Sequence, residues 1–549
     1  MYYFLIFPAF SVLLILSKRY YILKSITIIL LLIAVSIWLF SDFYTGDGIN
    51  EAVIYTLFTS EISQDVPIYV DRTNLLVVLL SAFFIFISLF ISFKLKRNSY
   101  LFDLAFVFVL LTFLSLSKPM QNIINLIHTN KVSLANKRYI VDDNINKSIK
   151  GNYIFIIAES LERTFMDING DNHLKKISSL DNKIDFSNIG YVTGSGWTIA
   201  GHVNLMCGLP LIGTGNDASK LDIFLPKAEC FPDILKNSNY KNIYLSGTDA
   251  SFSGMRAFLK THSFDEIIEK KTFNKNELSK EQLNSWGIDD QVIFDYAIDI
   301  FNKESSSGNK FSLYISTINT HTPGYPSASC EKKNDSLYLN SIDCADETIY
   351  NFIKKIQSSE YYKNTTIVLV SDHGLMGWDK IIGTESKRSN LFMVFKDGIE
   401  SKEIDTYGTV LDQLPTALEV ASGEEISLGF GRGIFNSSSS LGKLDAEDID
   451  FARSMWVFPK INLAKYNGDK EMLIGGMSFK LPACISYNDD MEIRSFSGNY
   501  SGCRKSIDNK EKGNFFLAVE CDKKMCSEIY ESKKGISFKT DSDTPFKAH

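Results

Sequence analysis

The chain has 549 residues, a net charge of −7 and a mean hydropathy close to zero. That length admits about three structural units at roughly 150 residues each. The acidic balance argues against a nucleic acid as partner, and none is expected.

The hydropathy average conceals a split. Residues 1–117 are mostly apolar, and the rest has the composition of a globular protein. Four apolar runs, 1–17, 21–40, 75–93 and 101–116, approach or reach the length needed to cross a bilayer, about 17–25 residues. The first run has no basic residue ahead of it and no small-residue cleavage pattern, so it does not read as a signal peptide. Lys18, Arg19 and Lys24 follow the first run, and Lys94, Lys96 and Arg97 lie between the third and fourth. Residues 42–71 carry six carboxylates and no Lys or Arg. The positive-inside rule then puts both basic loops in the cytoplasm and everything after about residue 118 outside it. Four spans in a bacterial inner membrane, with a periplasmic remainder, are the expectation.

Cysteine usage agrees. There are eight, and none precedes Cys207. Spacing pairs Cys207 with Cys230, Cys330 with Cys344, Cys484 with Cys503 and Cys521 with Cys526, as in an oxidising compartment. No CxxC or Cys/His pattern calls for structural zinc.

Residues 118–150 are polar, with Pro119 and an apolar patch "MQNIINLIH", and read as a juxtamembrane linker. From 151 to about 435 short apolar runs alternate with longer mixed segments. The runs are "YIFIIA" (153–158), "NIYLS" (242–246), "FSLYIS" (311–316) and "TTIVLVS" (365–371). Unbroken apolar runs rich in β-branched and aromatic residues suit parallel strands buried on both faces. Helical candidates lie between them at 293–304 and 345–356. The alternation predicts a doubly wound α/β domain. Residues 436–549, with short alternating segments and four cysteines, predict a small β-rich subdomain.

In such sheets ligands bind beyond the carboxyl ends of the strands. Each run delivers ionisable residues there: Glu159 after the first, Asp249 and Arg256 after the second, His321 after the third, Asp372 and His373 after the fourth. Between the first two runs lies "GYVTGSGWTIAGHVNLMCGLP" (190–210), where Thr198 follows a Gly-Ser-Gly turn and opens a small-residue helix. A threonine there is ordinarily an N-cap. Four strand ends bringing charge to one rim favour chemistry instead. Glu159, Asp372, His373 and Thr198 suit one hard or borderline divalent cation, Mn²⁺ first, with Mg²⁺ or Zn²⁺ as alternatives. The cation would lower the pKa of the threonine hydroxyl, and the helix N-terminus would favour phosphate oxygens. His321 could donate to phosphate or act as acid/base, and Arg256, with Asp249, could contact substrate.

The motifs "ES" after the first strand, "GSGWTIAG…CGLP", "THTP", "SDHG" and "VLDQLPTAL" (410–418) resemble the alkaline-phosphatase/sulfatase superfamily. They are most similar to its membrane-anchored phosphoglycerol transferases, which include lipoteichoic acid synthases and the Gram-negative enzymes that modify osmoregulated periplasmic glucans. The resemblance covers about residues 40–435. It implies Thr198 as nucleophile and metal ligand, Glu159, Asp372 and His373 as the other ligands, and His321 as a substrate contact. Arg388 is a further candidate contact. No C-x-P-x-R motif is present, so sulfatase activity is not expected. The implied reaction moves a glycerophosphoryl group from phosphatidylglycerol to a glycan through a phosphothreonine-type intermediate and releases diacylglycerol. Two alternatives stand beside it: phosphoethanolamine transfer to lipid A or another glycan, and a non-catalytic glycan-binding membrane protein. His128, His173 and His549 read as solvated. His202 and His262 are possible pocket residues, Trp197 and Trp286 packing residues, and Asp289 and Asp290 caps of a helix near Gln291.

Overall fold

The computed structural model describes most of residues 6–541. Outside the described residues lie 46–71, 121–135, 213–222, 457–464 and 542–549, with shorter stretches of five residues or fewer. The acidic loop, most of the linker, His128 and His549 fall there. So does Cys503, and with it the pair expected between 484 and 503.

Each of the four apolar runs contributes a helix: α1 (Ile6–Leu16), α2 (Tyr21–Thr45), α3 (Arg72–Lys94) and α4 (Tyr100–Leu116). Phe7, Phe10 and Leu14 of α1 share an apolar cluster with Ile28, Val35 and Trp38 of α2, Ile85 of α3 and Phe106 and Phe113 of α4. Lys24 of α2 bonds Asp103 of α4, which removes two charges from an apolar setting by pairing them. Ile22, Leu30, Phe86, Leu101 and Phe108 remain exposed on the outer faces. By length and composition, Tyr21–Leu39 is the one described stretch long and apolar enough to cross a membrane; Ile6–Leu16, Val78–Ile87 and Tyr100–Leu116 are shorter apolar helices.

The central sheet has eight strands: β1 (Asn152–Ala158), β2 (Lys183–Phe186), β3 (Lys241–Ser246), β4 (Glu266–Ile268), β5 (Phe311–Ser316), β6 (Thr365–Ser371), β7 (Phe392–Lys396) and β8 (Lys402–Ile404). Their spatial order is β8-β2-β7-β6-β1-β5-β3-β4. β7 runs antiparallel to both its neighbours, and the other pairings are parallel. All four runs expected as strands are central members. Along β1, Tyr153, Phe155 and Ile157 enter one core while Ile154 and Ile156 enter the other, so the strand is apolar throughout.

Helices cover both faces. α5 (Thr198–Cys207) and, later in the chain, α8 (Gln413–Ser422) pack into the first core. α6 (Asp290–Ser306) and α7 (Leu337–Gln357) pack into the second, and they contain the two expected helices. This is the doubly wound α/β arrangement. Before β1, Ile140–Val141 pairs antiparallel with Leu428–Gly429, and Arg138 binds Asp445 and Asp448, so the end of the linker rests on the domain. Lys465–Gly468, Glu471–Ile474 and Met477–Lys480 form a three-stranded antiparallel sheet, and Ala483–Tyr487, Ile493–Ser497, Asn514–Cys521, Lys524–Glu531 and Ile536–Asp541 a five-stranded one. Disulfides join Cys207 to Cys230, Cys330 to Cys344 and Cys521 to Cys526.

Candidate active site

β1 and β6 lie side by side in parallel register, Ala158 opposite Ser371. The residues that follow them therefore emerge together at the carboxyl edge. Glu159, Asp372 and His373 offer ligand atoms that all lie within 4.8 Å of one another. They are 3%, 3% and 1% exposed. Nε2 of His373 is 3.3 Å from Glu159 Oε1 and 3.6 Å from Asp372 Oδ2.

The local backbone explains the convergence. Ser160 adopts a left-handed conformation (φ 52°), which turns the chain sharply after Glu159. Its amide then donates to Asp372 Oδ1 at 2.9 Å and its hydroxyl to Glu159 Oε1 at 2.8 Å. The amide of His373 also donates to Asp372 Oδ1, at 2.7 Å. On the imidazole, Nδ1 faces the carbonyl of Gly374 at 2.8 Å and must carry the proton. Nε2 is thereby left buried at the centre of the cluster with no hydrogen bond.

Thr198 is the first residue of α5, with Trp197 at the cap position. Its hydroxyl donates to Glu159 Oε2 at 3.3 Å. The approach depends on Gly201: a Cβ there would sit 2.0 Å from the carbonyl oxygen of Asp372. Asn204 fixes the turn before the helix by donating to Gly194 O and Leu209 O. The other end of α5 is tied down by the Cys207–Cys230 disulfide.

The electrostatics call for positive charge at this centre. Burial pushes Glu159 up, but the charges of His373 and His321 outweigh it and hold the carboxyl below the usual range. Asp372 is pushed well up by burial and by the charge of Glu159. Burial alone would lower His373, yet Asp372 and Glu159 push it up to about 10. Without a cation, protons must supply the missing charge. Two carboxylates, an unpartnered imidazole nitrogen and an adjacent hydroxyl fit a hard or borderline divalent ion, so these residues could hold one.

Other expected residues are placed variously. His321 sits beyond β5 with its ring 4.0 Å from that of Trp286, within electrostatic reach of Glu159. The guanidinium of Arg256 binds both oxygens of Glu269 (2.9 and 2.7 Å) and Asp249 at 3.0 Å. Arg256 and Asp249 are thus brought together, but as an ion-pair cluster after β3, and no described bond joins them to Glu159. Arg388 holds the fully buried Glu162, which also accepts the amide of Leu375 at 2.6 Å. That pair braces the chain just after His373. Glu162 was missed in the sequence because its partner lies 226 residues away. His202, one turn after Thr198, is buried and faces Thr198 O through Nδ1, and burial lowers it to about 4. His262 binds Asp233 and the carbonyl of Phe224. His173 is not solvated, since its Nδ1 lies 2.7 Å from Asp343.

Comparison with known proteins adds to this geometry. The model described as sulfatase matches residues 151–423. The model described as the N-terminal domain of phosphoglycerol transferase I matches residues 1–132. Phosphoglycerol transferase I of Xanthomonas campestris pv. campestris is 29% identical over 88% of this chain and 73% of its own length. The Escherichia fergusonii protein of the same name is 30% identical over 85% of this chain and 64% of its own. Among solved structures, lipoteichoic acid synthase LtaP of Listeria monocytogenes is 18% identical, with a TM-score of 0.44 over 67% of this chain and 91% of that one. From its matched domains and its curated relatives, the chain belongs to the sulfatase-type alkaline phosphatase superfamily, among relatives named phosphoglycerol transferases.

Proposed function

We propose that this chain is a metal-dependent phosphoglycerol transferase anchored in the bacterial inner membrane by four helices, with residues 151–435 as its periplasmic catalytic domain and residues 436–549 as an appended β-rich subdomain. The observation that carries the reading is the hydroxyl of Thr198, held at the start of a helix and 3.3 Å from Glu159 within a buried acid–histidine cluster. The donor is phosphatidylglycerol and the acceptor a periplasmic or cell-surface glycan. The exposed apolar faces of α1–α4 support an anchor, and a lipid donor gives that anchor a purpose: the site stays beside its substrate.

A divalent cation, Mn²⁺ in our assignment, would be held by Glu159, Asp372, His373 and Thr198 Oγ1, lowering the hydroxyl pKa and offsetting phosphate charge. Thr198 Oγ1 attacks the lipid phosphorus, the bond from phosphorus to the diacylglycerol oxygen breaks, and that oxygen takes up a proton. A glycerophosphothreonine remains. A hydroxyl of the glycan then attacks the same phosphorus, the bond to Thr198 breaks, and the acceptor's proton returns to Thr198. The amide groups opening α5 face the accumulating charge. His321 donates to a phosphate oxygen. Arg256, released from Asp249, is the second candidate phosphate contact. The test is mass spectrometry of the full chain in detergent after incubation with Mn²⁺ and phosphatidylglycerol vesicles. A single glycerophosphoryl gain on the Thr198 peptide is expected, and its absence from Thr198→Ala. An adduct formed only from phosphatidylethanolamine would replace the donor assignment.

A further inference from the structure

Residues 284–290, "NSWGIDD", were expected to supply packing and a helix cap, and Asp289 does cap α6 by accepting the amide of Gln291 at 2.9 Å. The neighbouring carboxylate does something else. Asp290, 5% exposed, accepts the amide of Ile318 at 2.8 Å through Oδ1 and that of Asn319 at 2.9 Å through Oδ2. Both amides belong to the chain that leads from β5 to His321. The side chain of Asn319 is held in turn: its amide donates to Asp289 Oδ2 at 2.9 Å, and its carbonyl accepts from Asn284 at 3.0 Å. Beyond His321, the hydroxyl of Ser327 donates to Asp289 at 2.8 Å. Trp286, from the same segment, lays its ring 4.0 Å from the imidazole of His321. The segment is itself fixed. Asn284 accepts the amides of Trp286 and Gly287, and a Cβ on Gly287 would sit 2.1 Å from the carbonyl oxygen of Gly247 in the turn after β3.

A buried carboxylate with no cationic partner costs free energy, here visible as an Asp290 carboxyl pushed up to about 7 by burial. We infer that Asn284–Asp290 is a positioning element for His321, with Asp290 fixing the backbone that carries the imidazole and Trp286 fixing the ring. This rests on the proposed transfer only for the consequence, because the bonds hold whatever the donor is. Positioning matters here because a small misplacement of a group that meets the phosphate is expensive in rate.

The test uses the full chain in detergent, with Asp290→Asn, His321→Ala and the double variant. Diacylglycerol release from phosphatidylglycerol vesicles and amide hydrogen exchange are read on the same samples. Each single change is expected to lower kcat tenfold or more, and the double variant to fall no more than twofold below His321→Ala. Asp290→Asn should also speed exchange across residues 317–321 by tenfold or more while β1 keeps its protection. Trp286→Phe, which keeps a ring beside His321, should retain more of the rate than Trp286→Ala. Losses that multiply in the double variant, or unchanged exchange at 317–321, would overturn the inference. So would faster exchange throughout the domain, which would make Asp290 a determinant of folding. If the wild type releases no diacylglycerol, the donor reading falls and the exchange result alone decides the positioning role.

Discussion

Removing the Thr198 hydroxyl deletes the group that bonds Glu159 while leaving the helix start intact, because Trp197 holds the cap position. Thr198→Ala should therefore melt like the wild type and lose about a thousandfold or more in kcat, the scale of a lost nucleophile. Thr198→Ser keeps the oxygen and should retain measurable turnover. Diacylglycerol release, with circular dichroism as the control for folding, checks both; an alanine variant with a tenth of the wild-type rate would remove Thr198 from the mechanism. At this scale the sequence was informative where chemistry follows directly on a strand. Glu159, Asp372 and His373 each stand just after an apolar run, so the topology alone sends them to one rim. Glu162 gave no such signal, since a charged residue in "ESLERT" looks like surface until a partner far along the chain covers it, and Arg388 was legible as a candidate substrate contact but not as that partner. Arg256 was legible as a basic residue near the site, but not as one already engaged by Asp249 and Glu269.

Helix α5 owes its placement to the absence of a side chain. A methyl group at position 201 would meet the carbonyl of Asp372 at 2.0 Å, and backbone cannot step aside as a flexible side chain can. Gly201→Ala must move the helix, the Asp372 backbone or both. Overpacking of this kind costs about 1–3 kcal/mol. A shift between Thr198 and Glu159 should cost more in activity, about a hundredfold in kcat with KM little changed. Rate measurement beside a thermal melt separates the two effects, and a variant losing stability without rate would contradict the close-approach argument. A second element tests electrostatics. Asp346 of α7 accepts the amides of Lys176 and Ile177 at 2.8 Å, and burial pushes its carboxyl up to about 6. The unfolded chain releases that proton near pH 4. The folded state therefore holds it more tightly, so this group's stabilising contribution is full below pH 4 and fades as pH rises through 6. The loss is about 3 kcal/mol. Asp346→Asn should flatten the fall in melting temperature between pH 4 and 6; an unchanged slope would show that Asp346 is not its source. Of the strands, the four with unbroken apolar runs were legible. Phe392–Lys396 was not: it is five residues long, and its sheet position depends on antiparallel pairing with β6 and β2 that no local pattern encodes.

For the whole molecule, charge and cysteine distribution favour one and the same topology for the proposed anchor. Basic residues cluster near 18–24 and 94–97, acidic residues fill 42–71, and all cysteines follow residue 206. If four helices span, both basic clusters lie in the cytoplasm, the acidic stretch lies on the opposite side, and the disulfides form in the oxidising compartment. Among the described residues no cysteine is free, so a thiol introduced elsewhere reports its own location. Lys96→Cys is expected to react with a membrane-impermeant maleimide only after the cells are opened. Ser60→Cys, within the acidic loop, should react in cells whose outer membrane alone has been permeabilised. Opposite labelling at 60 and 96 is what a crossing by α3, the one described helix between them, requires. Labelling of Lys96→Cys from the periplasm would break the charge argument. It would also require another account of how Cys207–Cys230, which ties down the helix of the proposed nucleophile, comes to be oxidised.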